Sequence, residues 1–386
     1  MYTDEQLELK ALAHDFAVSE LRPHTARWDE QRALDDDIFD KLAELGFFGM
    51  LVPEEHGGLG FDATTYLLVL EELAWGDVAV ALTAALHNVI AGGLIAAHGT
   101  DEQKAEWLPT MAAGEALGAF ALTEPDSGSD PSSISTRAVR DGDGWALTGR
   151  KRWVTNGGRA RLIVTYARTD EGITAFLVRS PAGGLSLGPL EKTMGVRALD
   201  TVGAELDGVR ASDGDVLGDV GAGLRYGLGA LDLGRLGVAV QSIGIGRAAL
   251  GHATEYALGR EQFDQPIARF GAIQAKLAEM ARRIAAGRAL VYEAAALLGP
   301  SGNGGGADRT GLDGLTARVA MAKLTATQAA TWAADEAVQI YGGYGYMRHY
   351  PVEKLLRDAK GAEIYEGTNE IMRMVIAREI LRDAGD

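Results

Sequence analysis

The spacing of apolar residues along this chain changes twice, from helical to strand-like near Leu117 and back to helical after Leu231. A segment repeating every 3.6 residues buries one stripe of a helix, whereas one repeating every second residue buries one face of a sheet. The same segment cannot serve both. Three units in the order helix, strand, helix are therefore expected: an α-helical domain over residues 1–116, a β domain over 117–228 and a helical bundle over 229–386. A length of 386 residues, more than one hydrophobic core usually supports, fits this division.

Local signals fill in each unit. Thr3-Asp4-Glu5-Gln6 has the spacing of a capping box, and the same tetrad recurs at Thr100-Asp101-Glu102-Gln103, so each is predicted to open a helix. Between them, Ile38, Phe39, Leu42 and Leu45 recur at helical spacing, with Gly46 as the stop. Residues 78–97 are apolar enough to pass for a membrane span. His87 and Asn88 at the centre, the Gly92-Gly93 pair and the missing basic flank predict a buried helix instead. In the middle unit, residues 136–139, 145–147, 162–167 and 173–178 read as strands, with Asp141-Gly142-Asp143-Gly144 as the clearest turn. Helices are then expected at 231–259, 270–298, 313–341 and 369–383, enough for a four-helix bundle, with a Gly-rich loop at 299–314.

Composition removes several classes of function. A formal net charge of −17 argues against nucleic acid or an anionic membrane as partner. Without cysteine there are no disulfides, thiolate metal sites or cysteine nucleophiles, which suits a reducing cytosol. The acidic, amphipathic start MYTDEQLELK is neither a signal nor a transit peptide, so a cytoplasmic location is expected. The seven histidines lack ligand spacing, so no metal site is expected, and P-loop, HExxH and G-x-S-x-G motifs are absent. Gly244-Ile245-Gly246-Arg247-Ala248-Ala249 matches a loose dinucleotide string, but it lies inside a predicted helix with no strand before it. Close approach of two helices is the better account. Residues 302–307 match only through low complexity. A dinucleotide bound here would be held without a Rossmann fold.

Five segments in order carry a family resemblance. They are Ala121-Leu122-Thr123-Glu124-Pro125-Asp126-Ser127-Gly128-Ser129-Asp130, Trp153-Val154-Thr155-Asn156-Gly157-Gly158, the run from Arg260 to Phe270, Gln339-Ile340-Tyr341-Gly342-Gly343-Tyr344-Gly345, and Ile364-Tyr365-Glu366-Gly367-Thr368-Asn369-Glu370-Ile371. Together they resemble the T-E-P-x-x-G-S-D signature, the second flavin-contacting strand, the R-x-x-F-x-x-P-I-x-x-F run, the Q-x-x-G-G-x-G element and the catalytic loop of the acyl-CoA dehydrogenases. The resemblance spans essentially the whole chain. It implies an N-terminal helical domain, a central β-barrel or sandwich domain and a C-terminal four-helix bundle. It also implies FAD-dependent α,β-dehydrogenation of an acyl-CoA thioester to a trans-2-enoyl-CoA, in fatty acid metabolism.

The chemistry explains these residue types. The α-proton of a thioester is weakly acidic, so its removal needs a base and stabilisation of the developing enolate. No side chain accepts the β-hydride, so a cofactor is required. Taken alone, Glu366 reads as a helix-start carboxylate facing the dipole; beside the other motifs it reads as the base. Gly367 permits an unusual turn, and Thr368 or Asn369 caps the next helix. A dry pocket is expected to raise the pKa of Glu366.

Further roles come from the resemblance. It implies that the Glu366 N–H and a ribityl hydroxyl of FAD hold the thioester carbonyl, and that Tyr365 and Gly367 meet substrate. The Phe120–Ser129 segment, including Leu122, Thr123 and Gly128, embraces the flavin together with Trp153, Val154 and Thr155. Ser129 also touches the thioester ligand, and Trp153 reads alternatively as a buried strand aromatic. Arg260, Gln262, Phe263, Phe270, Gln339, Gly342 and Gly343 serve the FAD of a neighbouring subunit, which implies a homo-oligomer, usually a tetramer. Thr368 and Glu370 complete the cofactor set. Asp232 and Arg235 are implied on the substrate side, with a structural Asp–Arg pair as the alternative. Some members carry the base in place of Gly234, which leaves Glu366 as the candidate here. Electron transfer flavoprotein is the implied acceptor.

Two residues depart from the family pattern. Asp264 replaces a usual Gly, adding charge near the expected FAD diphosphate, and Gly271 replaces a frequent Gln. An acyl-CoA oxidase, a dehydrogenase of carrier-protein thioesters and a non-catalytic FAD-binding subunit remain open alternatives. A nitroalkane-oxidase-like enzyme would carry Asp at position 366, and a monooxygenase of this fold would not need Glu366.

Overall fold

Both capping boxes form in the computed structural model, which describes residues 2–298 and 310–385. Thr3 and Thr100 each accept from the backbone N–H three residues on, and Gln6 and Gln103 return the bond. They open α1 (Asp4–Phe16) and α7 (Asp101–Ala112). Between these lie α2 (Thr25–Gln31), α3 (Asp37–Glu44), α4 (Ala63–Gly76), α5 (Val78–Ala85) and α6 (Gly93–His98). Gly46 stops the chain after α3 in a left-handed conformation (φ +71°).

The apolar run Val78–His98 is folded into the protein as α5, a π-helical turn and α6, with 89% of its most apolar 18-residue stretch buried. The two polar groups at its centre are satisfied locally. Asn88 Nδ2 donates to Phe47 O and Ala84 O. His87 Nδ1 lies 3.0 Å from the Gly118 N–H and Nε2 lies 3.1 Å from Met111 O, which ties α7 to the first strand.

Eight strands of the middle unit form one mixed sheet: β1 (Gly118–Ala121), β2 (Arg137–Asp141), β3 (Gly144–Thr155), β4 (Leu162–Arg168), β5 (Ile173–Arg179), β6 (Leu185–Leu187), β7 (Thr201–Ser212) and β8 (Val216–Leu217). Strand order is β6-β7-β3-β2-β4-β5-β8, with β1 parallel to β4. The expected turn joins β2 to β3, pairing Asp141 with Gly144 around Gly142 at φ +66°.

The helical unit begins earlier than the sequence predicts. Its first helix, α8 (Gly223–Gly259), starts eight residues before Leu231, where Gly223, Gly227 and Gly229 dilute the apolar period without breaking the helix. A short hairpin of β9 (Glu261–Gln262) and β10 (Gln265–Pro266) follows, then α9 (Gly271–Leu298), α10 (Leu315–Tyr341), α11 (Pro351–Ala362) and α12 (Asn369–Gly385). The sequence reading missed α11, although Pro351 at its first turn and apolar Val352, Leu355, Leu356 and Ala359 mark it. The predicted loop at 299–314 lies mostly, and the 302–307 string wholly, outside the described residues.

Gly244 settles the dinucleotide question. A Cβ there would meet Ala74 Cβ, Glu71 O and Trp75 N at 2.8 Å, so α8 crosses α4 almost backbone to backbone. Polar groups fasten the units together where they meet. Glu71 and Glu72 of α4 pair with Arg247 of α8, and Glu71 also pairs with Arg288 of α9. Lys354 of α11 bonds Asp77 (3.1 Å) ahead of α5 and Asp358 (2.7 Å) on its own helix, and Asp358 also accepts from the Val196 N–H at 2.5 Å. That one buried ammonium therefore links both helical units to the β unit.

Candidate active site

All three units meet around a cavity of about 620 Å³. One wall comes from the middle unit, where Phe120, Leu122, Thr123, Gly128, Ser129, Trp153 and Thr155 all face the space. The segment after β1 is held open by a buried ion pair. Glu124 accepts from Lys151 Nζ (2.7 Å), from the Ser135 and Thr136 N–H groups and from Ser135 Oγ, while Lys151 also donates to Leu122 O. Burial pushes the Glu124 carboxyl up, but Lys151 and the other donors outweigh it and hold it at about 2.

Trp153 reaches the cavity through a bulge. The register of β3 against β7 slips between Lys151 and Val154, and Trp153 takes a left-handed backbone (φ +54°) that leaves its ring 60% exposed. It is not the buried strand aromatic of the alternative reading. The Val154 side chain is wholly buried in the sheet and does not line the cavity, because alternation sends it to the opposite face, so only its backbone is left to meet a flavin.

The facing wall is the loop between α11 and α12. Tyr365, Glu366, Gly367 and Thr368 line the cavity, with Glu366 at φ +57° and Gly367 at φ +88°. The glycine is at ease there, but a left-handed glutamate costs about 1–2 kcal/mol and persists only if its surroundings enforce it. Thr368 Oγ1 accepts from the Ile371 N–H and caps α12, whereas Asn369 turns inward. Glu366 Oε2 has no solvent exposure and makes no protein hydrogen bond. Burial raises its carboxyl above the ordinary range, with Arg235 and Lys323 pulling the other way.

Gly234 of α8 explains how the carboxylate fits. A Cβ on Gly234 would lie 3.1 Å from Glu366 Oε2, so the helix surface is bare where the carboxylate rests. The two positions at which family members carry a base are thus spatial neighbours in this fold. Asp232 and Arg235 do not line the cavity. They form the structural pair, at 3.3 Å, and Arg235 Nε donates to the Glu366 carbonyl at 3.4 Å from behind the loop.

The remaining predicted residues form a second group outside the cavity. Phe263 and Asp264 make a two-residue hairpin turn between β9 and β10, both left-handed (φ +53° and +61°). That conformation accounts for a usual Gly at 264 and for the tolerance of Asp, which adopts it more readily than most residues. Phe263 is 88% exposed and meets Phe270 edge-on, Arg260 sits over the Tyr344 ring, and Gln262, Gln339, Gly342 and Gly343 are exposed nearby in sequence. A Cβ on Gly271 would meet open space. Within one chain this group does not reach the cavity. Glu370 is also exposed, paired with Arg373 on the first turn of α12.

Sequence reasoning missed two buried polar residues. Gln241 of α8 lines the cavity beyond Val238, and neither end of its amide has a protein partner. Lys323 of α10 is wholly buried beneath the Glu366 loop, with Nζ 2.8 Å from Gly367 O and 3.3 Å from Asn369 Oδ1. Each interrupts an apolar helical stripe, and that interruption was the available signal.

Comparison with known proteins agrees with this arrangement. Family models described as the acyl-CoA dehydrogenase N-terminal, middle and C-terminal domains match residues 3–115, 119–209 and 221–381. The chain is 40% identical to an acyl-CoA dehydrogenase of Bacillus subtilis over 384 residues, covering 98% of each protein. Among solved structures it is similar to butyryl-CoA dehydrogenase from Megasphaera elsdenii (TM-score 0.93, 38% identity, 99% of both chains). It is similar also to a chain solved in work on the electron transferring flavoprotein of Acidaminococcus fermentans (TM-score 0.94, 38% identity, 99% of both chains).

Proposed function

The chain belongs to the acyl-CoA dehydrogenase family, a family of FAD enzymes, and on that premise we propose that Glu366 abstracts the α-proton of a short acyl-CoA held in the 620 Å³ cavity. The observation that carries this reading is the Glu366 carboxylate, whose Oε2 is enclosed, without a protein hydrogen bond, and across the cavity from the exposed Trp153. The wall opposite Glu366 fits a flavin. Trp153 and Phe120 offer aromatic surface, Thr123 and Thr155 offer hydroxyls, and a Cβ on Gly128 would meet nothing, so the backbone there is open to close approach.

FAD, when bound against that wall, supplies the acceptor for the β-hydride. The protein does the rest. Glu366, desolvated and so a stronger base than a surface carboxylate, takes the α-proton. Its own N–H holds the thioester carbonyl, where charge develops. Tyr365 and the apolar side chains of Leu86, Val89 and Ile90 pack the acyl chain and exclude water. The product is a trans-2-enoyl-CoA. Incubation with butyryl-CoA and a dye acceptor should yield a thioester two hydrogens lighter by mass spectrometry; no such product from any acyl-CoA would reject the reading.

Gln241 sets the acyl length in this reading. Its amide ends the apolar lining beyond Val238, and a longer aliphatic tail would bury that amide unpaired, at about 1–3 kcal/mol. The butyryl-CoA dehydrogenase among the similar structures supports a short substrate. Gln241→Ala should raise kcat/KM for octanoyl-CoA relative to butyryl-CoA by about 10-fold, measured over a chain-length panel. Gly234→Ala should act differently. Its methyl crowds the carboxylate, so kcat should fall by roughly 10-fold, while the melting temperature holds or rises because alanine favours the helix by about 0.5–1 kcal/mol.

A homo-oligomer, in which Arg260, Gln262, Phe263, Phe270, Gln339, Gly342 and Gly343 reach the FAD of a neighbouring subunit, accounts for the exposure of all of them but the half-buried Phe270 on the isolated chain. Four copies are the expected assembly. Electron transfer flavoprotein is the proposed acceptor, supported by the similar chain from work on such a flavoprotein. The proposed setting is cytoplasmic fatty acid metabolism.

A further inference from the structure

We propose that Lys323 is a positioning residue for Glu366, pinning the left-handed Glu366–Gly367 turn from α10 and supporting the negative charge of the base. The inference rests on Glu366 being that base.

Lysine is seldom buried without a counter-charge, because removing an ammonium from water costs several kcal/mol. Lys323 is wholly buried, yet among the described residues no carboxylate comes within ion-pair distance of it. Its two hydrogen bonds go to uncharged acceptors, the Gly367 carbonyl and Asn369 Oδ1, and Thr327 Oγ1 steadies the same Asn369 oxygen at 3.0 Å. A methionine of similar length would fill the space without the desolvation cost. The charge therefore serves something other than packing.

The turn shows what it serves. Two consecutive peptide carbonyls of the loop are each held by a cation from a different helix: Glu366 O by Arg235 of α8 and Gly367 O by Lys323 of α10. With both peptide planes fixed, the direction in which the Glu366 side chain leaves the backbone is fixed as well, at a residue that would otherwise relax out of φ +57°. Lys323 is the closer of the two anchors, at 2.8 Å against 3.4 Å.

The same residue acts through its charge. Arg235 from α8 and Lys323 from α10 face Glu366 from behind, and the hydroxyls of Tyr66 on α4 and Tyr365 on the loop feel its charge. Glu363 and Glu370 add negative charge near Lys323. Burial pulls the Lys323 ammonium down to about 8, so at neutral pH it is still largely protonated and favours the ionised form of Glu366. Without it, Glu366 would ionise only at higher pH.

Two variants of the FAD-loaded enzyme test this. Lys323→Met removes bond and charge together, whereas Lys323→Gln keeps a donor for the Gly367 carbonyl and removes the charge. Hydrogen–deuterium exchange of residues 363–371, measured without substrate, should quicken about 10-fold or more in Lys323→Met, with the core of α10 unchanged. Lys323→Gln should stay within about threefold of wild type. In both variants the acid limb of the pH profile for flavin reduction by butyryl-CoA should move up by about one unit. Unchanged loop exchange in Lys323→Met, an acid limb that stays in place, or failure of both variants to fold would overturn the proposal. Exchange does not depend on the chemistry, so a wild type that butyryl-CoA cannot reduce would count against Glu366 as the base while the loop measurement still reported on the turn.

Discussion

Glu366→Gln is expected to lower turnover of butyryl-CoA by about 10³–10⁴-fold, with FAD and thioester still bound. The substitution keeps the volume and polarity of the side chain at its place over Gly234, so only basicity is lost. Turnover with a dye acceptor and direct titration of ligand binding separate the two effects: kcat should collapse while affinity stays within a few-fold. The pH dependence adds a second signature. Glu366 acts only when ionised and burial raises its pKa, so the wild-type rate should climb with pH through a value above the ordinary carboxylate range and then level off. That limb should vanish in the variant. Stability should move in the opposite sense. A carboxyl whose folded pKa is raised favours folding at low pH and loses that contribution as pH rises through the folded value. The neutral amide should therefore make the protein more stable at neutral pH, with the gap closing in acid. Loss of activity with a gain in stability is the signature of a group placed for chemistry rather than for folding.

Lys354→Met should cost the most stability of any change considered, about 3–5 kcal/mol, because it strands two buried carboxylates. Asp77 and Asp358 are almost fully enclosed, and Lys354 is the cation bonded to both. In the wild type, burial depresses the Lys354 ammonium, but Asp358 and Asp77 outweigh it and raise its pKa. Its contribution is therefore present below the ordinary lysine range and lost only as pH rises through the raised folded value. In the variant the two carboxylates lose their counter-charge, and Asp358, already raised by burial and held down by Lys354, is pushed up further. That penalty is largest at neutral pH and is relieved as pH falls and Asp358 protonates. Urea denaturation of both proteins at neutral pH and near pH 5 should show the gap narrowing in acid. Activity should suffer as well, since Asp358 holds the Val196 N–H and Val196 lines the cavity.

Where the sequence was legible, one local rule sufficed. The capping tetrads, the Gly46 stop, the Asp141–Gly144 turn and the four long helices each follow from spacing or turn chemistry within a few residues. The short helix α11 hid because its twelve residues fall between two glycine-rich segments, although Pro351 marked its start. Motif residues were found whenever they sit on the cavity wall through their own side chains, as Thr123, Ser129, Thr155 and Glu366 do. The Val154 side chain points away from the cavity because one step along a strand reverses the face. The exposure of Trp153 depends on a bulge that the pairing register creates, and register is not a local property. Gln241 and Lys323 went unread for a similar reason: what a polar residue in an apolar stripe faces is decided by helices brought together from distant parts of the chain.

The most direct test of the central claim is anaerobic mixing of the purified FAD-bound protein with butyryl-CoA, following the visible flavin absorbance. Rapid bleaching, with one enoyl thioester formed per flavin reduced, is the result this account predicts. A bound flavin that stays oxidised with butyryl-CoA and with every longer or branched acyl-CoA would contradict it.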